Sequence, residues 1–303
     1  MRPHVEAIQD ADLVWHQVEL PKGSGNQHVV QRNLSFDEED GSASTRLHFR
    51  KAWSRPGGFH DADTEWYIMG GRVKLGNRIL TKGCYWRAPA GLAVPPVQVD
   101  AGTDILLFRE YGDWGFSVSK QDRAKFISRG QNTVSKARGE LTVVDSNRME
   151  WMPNAYEGDT QRFLKLKPLF HDPASPKNNN TGFITMLAWA PPGWSDNRLV
   201  HHPVFEEAYS LEGSLDYNFG HAEAGTYFFR PAMVKHGHFV AGEEKGWWGV
   251  FRLDGDLINW ITINSKVVIE GDAINYDPAV NPPVISGIPV RSRSVGPWDL
   301  EGQ

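Results

Sequence analysis

Apolar positions along this chain come in short runs, interrupted every few residues by Gly, Pro, Asn or Asp. Runs of that kind between turn formers read as strands. Glu65–Met69, Arg78–Leu80, Cys84–Arg87, Ile105–Arg109, Ala208–Leu211, Thr226–Arg230 and Trp247–Leu253 are the clearest. Apolar residues at helical spacing are scarce, and Lys120–Ser128, one or two turns, is their best example. Many short strands with regular turns predict an all-β sandwich or closed barrel with few short helices.

The pattern also repeats. Trp15 and Trp53 recur as Trp151 and Trp189, each 136 residues on. From His60 the offset becomes 142: Glu65, Tyr67, Gly71, Gly83, Tyr85 and Pro89 answer to Glu207, Tyr209, Gly213, Gly225, Tyr227 and Pro231. Phe108-Arg109 and Phe251-Arg252 are 143 apart. A six-residue insertion around Pro191–Val200 accounts for the main step, since loops tolerate insertions. The chain therefore reads as two homologous halves, 1–136 and 137–285, with a tail at 286–303. The tail is expected to run extended over the surface or onto a partner subunit.

Composition excludes several classes. Net charge is −5 over 303 residues with no Lys/Arg cluster, which argues against a nucleic-acid partner. An apolar fraction of 40% with 12 Trp is ample for packed cores. The single cysteine, Cys84, excludes an internal disulfide framework and fits a reducing compartment. No apolar run approaches the roughly 18–20 residues of a membrane helix, and no secretory pattern follows Met1. A cytoplasmic setting without a membrane partner is expected.

Histidine carries the candidate chemistry. Four of the 11 fall in two windows of the second half, His201–Glu207 and Pro231–His238. Imidazole and carboxylate without thiolate form a ligand set for Fe(II), Mn(II), Ni(II), Cu(II) or Zn(II). His236 and His238 would share one face of a regular strand, whereas only one of His201 and His202 would point inward. His202, Glu206 and Gly213 follow the spacing His, three residues, Glu, six residues, Gly. Pro231 and His236 are five apart, in a stretch that opens Tyr227-Phe228-Phe229-Arg230. These are the spacings of the two cupin motifs. The second half resembles a cupin of the subgroup related to the ChrR-type anti-sigma cupin and to acetylacetone-dioxygenase-like proteins.

The resemblance implies a bicupin, two tandem double-stranded β-helix (jelly-roll) barrels. It implies one divalent metal ion per chain in the C-terminal barrel, Fe(II) favoured and Zn, Mn, Ni or Cu open, held by His202, Glu206 and His236. Two departures stand out. Val200 occupies the place of the first motif's other His, so His238 or His201 is expected to replace it, and Met233 replaces the Gly of the second motif. Family spacing selects Glu206 as the carboxylate, while the internal repeat pairs Glu207 with Glu65. Glu207 or Tyr209 would then tune the metal from behind its ligands. Trp189, Tyr227, Phe229 and Trp248 are candidates for an apolar substrate pocket, and Arg230 either orients an anionic substrate or pairs with a neighbouring acid. In the first half His60 and Glu65 persist, but Val94 and Pro96 stand where His236 and His238 would, so its site is read as degenerate.

The foremost reading is a metal-dependent enzyme, an Fe(II)-type dioxygenase cleaving a small organic substrate (a diketone, hydroxyketone or aromatic). A non-oxidative isomerase, decarboxylase or lyase, and a non-catalytic metal- or small-molecule-binding sensor, are the alternatives. A homodimer is expected.

Overall fold

The computed structural model describes residues 2–18, 28–110, 112, 114–120, 140–153, 155–156, 164–172, 182–255, 257–268 and 284–295. Among these residues the regular structure is β, apart from two three-residue 3-10 helices, Asp10–Asp12 and Ser146–Arg148. The chain is all-β, as the short apolar runs require. The helical segment expected from Lys120 to Ser128, beyond its first residue, and the expected division between residues 136 and 137 lie outside the described residues.

Two compact units form. One is built on Asp10–Met149, the other on Glu150–Ala174 and Thr181–Gln303 together with His4–Gln9. In the first unit Cys84–Ala88, Asp63–Gly70, Thr103–Glu110, Ala43–Phe49 and Val29–Phe36 lie side by side, all antiparallel. In the second, Thr226–Arg230, Glu206–Tyr217, Trp247–Leu253, Phe183–Ala190 and Lys165–Asp172 follow the same order. The register repeats as well. Tyr85 faces Tyr67 and Arg87 faces Glu65, as Tyr227 faces Tyr209 and Phe229 faces Glu207. The offset of 142 is thus a structural correspondence, and the architecture is that of a bicupin.

The outer strand of each sheet belongs to the opposite repeat. Thr142–Asp145 pairs with Cys84–Ala88, and Val5–Gln9 pairs with Thr226–Arg230. Each of these strands opens its own repeat and runs into one of the two 3-10 helices. They are related by the offset that links Trp15 to Trp151. The first strand of each half therefore completes the sheet of the other.

A second layer closes each unit. In the first it holds Trp53–Arg55, Val97–Val99, Arg72–Leu75 and Arg78–Thr81. In the second, Ser195–His201 lies between His236–Ala241 and Ile258–Val268. Val284–Val295 then pairs with Ile258–Val268 and with Ala155–Tyr156, so the part of the expected extended tail up to residue 295 is a sheet strand.

Alternation explains the surface strands: in Arg72–Leu75 only Val73 and Leu75 are buried. Strands at the centre break that rule, and Thr226–Arg230 is buried at every position. Each unit has its own apolar core, around Phe49, Trp66 and Ile105 in the first and Met186, Phe228 and Leu253 in the second. Burying one such side chain contributes about 1.5–3 kcal/mol. Gly71 and Gly213 hold matching left-handed turns, with φ of +88° and +77°. A Cβ at Gly213 would collide with the Gly246 carbonyl, and one at Gly71 with Thr103.

Candidate metal centre

Three strands deliver the cluster. His202 follows Ser195–His201 directly, Glu206 opens Glu206–Tyr217, and His236 opens His236–Ala241. Their ligand atoms lie within 4.8 Å of one another, and all three side chains are buried. Glu206 Oε2 is 2.8 Å from His202 Nε2 and 3.1 Å from His236 Nε2. On the far side of each ring, Nδ1 meets a backbone carbonyl, Ile258 O at 3.3 Å for His202 and Val234 O at 3.0 Å for His236. A carbonyl can only accept, so Nδ1 carries the proton and, in the neutral ring, the Nε2 lone pair points inward. Two lone pairs and a carboxylate then face a common point. Such a set can hold a cation, and carbonyls behind the rings are the usual orienting partners of metal-bound histidine. The residues present therefore fit a divalent ion of the kind served by two His and one carboxylate.

Arg230 fixes the carboxylate. Its Nη1 donates to Glu206 Oε1 at 2.6 Å, leaving Oε2 for the histidines. Arg230 is itself held by Glu6, through Nε at 2.7 Å and Nη2 at 3.1 Å, and Tyr217 donates to the same Glu6 at 2.8 Å. The guanidinium lies 3.8 Å from the centre of the Phe228 ring. Burial pushes the Glu206 carboxyl up, but the positive charges of His236 and Arg230 outweigh it and hold it well below the usual range. Burial pushes His236 down, and the pull of Glu206 only partly offsets this. The metal-binding forms are an ionised carboxylate and a neutral imidazole; with His236 neutral, Arg230 is the charge that still holds Glu206 ionised.

The other expected site residues fall elsewhere. His238 sits in a left-handed conformation, φ 55°, at an irregularity in the pairing with Ser195–His201. Regular alternation stops there, and His238 is not in the cluster. His201 packs edge-on to Trp260 at 5.2 Å and is outside it too. Glu207 projects from the opposite face of its strand, where it accepts from Tyr227 Oη at 2.7 Å and pairs with Arg252. This contact repeats Tyr85 to Glu65 in the first unit at 2.6 Å. Tyr209 shares that face by alternation and is buried.

A cavity of about 90 Å³ opens onto the cluster. Its aromatic walls are Trp194, Phe228, Phe239, Trp247 and Phe251. Tyr227, Phe229 and Trp248 belong to the alternate parity of the same strands and do not line it. Trp248 reaches Glu212 with Nε1 at 3.3 Å, and Trp189 packs on Trp151 at 5.7 Å. Of the pocket residues expected from sequence, only Arg230 lines the cavity. Glu6 and Asn259 escaped the sequence reading; the cupin motif spacings touch neither, and Glu6 meets Arg230 across 224 residues.

The first unit shows what the position holds without the ligands. At the offset of 142, Thr64, Ala88 and Val94 stand for Glu206, Arg230 and His236. His60 keeps its place, and Arg55 Nη1 lies 2.5 Å from its Nε2. The Arg55 guanidinium is stacked 4.3 Å from the Phe116 ring centre, and burial pulls its pKa down to about 9. Among the described residues the three-ligand cluster occurs in the second unit alone.

A sequence profile described as a domain of unknown function (DUF4437) matches residues 6–260. No curated protein matches the sequence. Among solved structures, a protein of Nostoc punctiforme PCC 73102 described as a candidate dioxygenase is similar, with 19% identity, a TM-score of 0.68 and 82% of each chain covered. Protein Ylba of E. coli is 15% identical, with a TM-score of 0.52, over 82% of this chain and 89% of that one. Oxalate decarboxylase of Bacillus subtilis gives 15% identity and a TM-score of 0.48, over 83% and 76%. At such identities the likeness is one of fold.

Proposed function

We propose, for a chain that belongs to the DUF4437 family and has a cupin-like fold, the role of a mononuclear metal enzyme, an Fe(II)-type dioxygenase acting on a small organic molecule. The observation that carries the proposal is the buried trio His202, Glu206 and His236 in the wall of a largely apolar cavity. His202 and His236 would hold the ion through Nε2, and Glu206 through Oε2. A bound ion of this kind supplies Lewis acidity and a template for substrate and O₂. The chain's own residues do the rest. The Ile258 and Val234 carbonyls keep both rings turned inward. Arg230, braced by Glu6, keeps the carboxylate ionised and aimed. Phe228, Phe239 and Trp247 exclude water from the reacting space.

The likeness to the candidate dioxygenase of Nostoc supports the oxidative reading, as does the motif resemblance to the ChrR-like and acetylacetone-dioxygenase-like cupins. A homodimer in the cytoplasm is part of the same proposal. The test is metal analysis of anaerobically purified protein, followed by O₂ uptake with candidate substrates. One iron per chain and substrate-dependent uptake are expected. A tightly held zinc without O₂ uptake points to the non-catalytic sensor, and no bound metal at all overturns the proposal.

A further inference from the structure

We propose that the Asn259 carboxamide binds the polar end of the substrate, an uncharged hydroxyl or carbonyl group on a compact, otherwise apolar molecule. The inference rests on the metal-site reading and names what that site takes. Asn259 lies on the strand Ile258–Val268, next to the residue whose carbonyl anchors His202. It is 1% exposed and lines the same cavity as His202, Glu206 and His236. Neither its Oδ1 nor its Nδ2 has a hydrogen-bond partner among the described residues. A buried amide unpaired on both sides is destabilising, and folded proteins rarely keep one without a use.

The ionisable side chains around the cavity are engaged. Asp196 accepts from Arg198 Nε and Nη2, both at 2.8 Å. His202, His236 and Glu206 meet one another, and Arg230 is neutralised by Glu6 and Glu206. The Arg230 charge is thus spent on the protein's own acids, which disfavours an anionic substrate tail. A carboxamide offers one acceptor and two N–H donors, the complement of a neutral hydroxyl or carbonyl. Size narrows the class further. The cavity, about 90 Å³, is smaller than the roughly 150 Å³ that accommodates benzene, so the part of the molecule inside it has roughly three to five non-hydrogen atoms.

The experiment compares wild type with Asn259→Leu, both loaded with zinc. Metal content is measured first, then thermal unfolding, then binding of hydroxyacetone and acetone by saturation-transfer NMR. The expected variant holds metal as wild type does and unfolds at the same or a higher temperature, because an unpaired amide has been replaced by an apolar side chain. Both probes offer a carbonyl to the zinc and only hydroxyacetone has a hydroxyl left for Asn259, so wild type is expected to favour hydroxyacetone over acetone and the variant to lose about tenfold of that preference. An unchanged preference overturns the proposal. So does a fall in unfolding temperature of several degrees, which would make Asn259 a structural residue satisfied by ordered water. Failure of wild type to bind either probe overturns the substrate class. Absence of zinc from both proteins brings down the metal reading instead, and the Asn259 comparison is then read on the metal-free forms.

Discussion

Replacing Arg230 by Met removes one charge that serves two buried acids, and the outcome can be worked through. The guanidinium makes two bonds to Glu6 and one to Glu206, whose side chains are 4% and 3% exposed. Stranding a buried charge costs about 3–5 kcal/mol. Two carboxylates are affected, but Glu6 keeps Tyr217 and His4, and Glu206 keeps both histidines, so the same range applies to the whole change. The Met side chain still covers Phe228, which limits the packing loss. A loss of about 3–5 kcal/mol lowers the melting temperature by roughly 6–20 °C for a cooperative block of 150–250 residues. The pH dependence carries a second signature. In wild type the folded pKa of both acids is depressed, so their contribution is fully present above the unfolded value and is lost as pH falls through the folded one. In the variant, burial is opposed only by His4 at Glu6 and by the two histidines at Glu206, so the folded pKa of both acids rises above its wild-type position. The loss relative to wild type then grows as pH rises between the two folded pKa values, by up to about 1.4 kcal/mol per pH unit for each group. Urea unfolding in EDTA at pH 5.5, 6.5 and 7.5, followed by Trp fluorescence, measures both. A loss below about 1 kcal/mol, or one identical at all three pH values, refutes the reasoning.

Further outcomes follow from the same geometry. Ala at His202, Glu206 or His236 is expected to cut bound metal from about one per chain to below a tenth, while His201→Ala and His238→Ala retain it within about twofold, by elemental analysis. A divalent ion at about 100 times its Kd is expected to add about 2.7 kcal/mol to stability, measured by calorimetry, with the gain fading towards acid pH as protons compete with the metal for its ligands. Gly213→Ala forces a side chain into a left-handed turn and against the Gly246 carbonyl, and is expected to cost at least about 2 kcal/mol in urea unfolding.

Motif spacing carried the sequence reading furthest. Duplication, fold class and the set His202, Glu206 and His236 were legible because they rest on spacing, which survives divergence. Facing was less legible. Thr226–Arg230 is buried on both sides, so its apolar pattern does not tell Tyr227 and Phe229 from Phe228. Trp247 and Trp248 present the same ambiguity, and a one-residue choice moves a side chain to the other face. Regular alternation puts His238 on the face of His236, and its left-handed backbone voids that rule. Arg230 was read as either a substrate clamp or an ion pair, and the structure selects the ion pair. Its chief partner, Glu6, lies on a strand taken from the opposite repeat, a long-range pairing that no local pattern announces. Asn259 is a single amide in an apolar run, invisible until its surroundings are known.

The exchange of opening strands sets a timetable for making the protein. Glu6 leaves the ribosome 224 residues before Arg230. At about 5–20 residues per second that is roughly 11–45 s during which the strand Val5–Gln9 has no sheet to join. The partner strand for Cys84–Ala88, in contrast, emerges some 60 residues after it. The amino-terminal unit can close while translation continues, whereas the metal-binding unit must wait and then recapture the oldest part of the chain. A gene cut between the repeats would deprive each product of its outer strand, so the two halves are genetically inseparable although each has its own core.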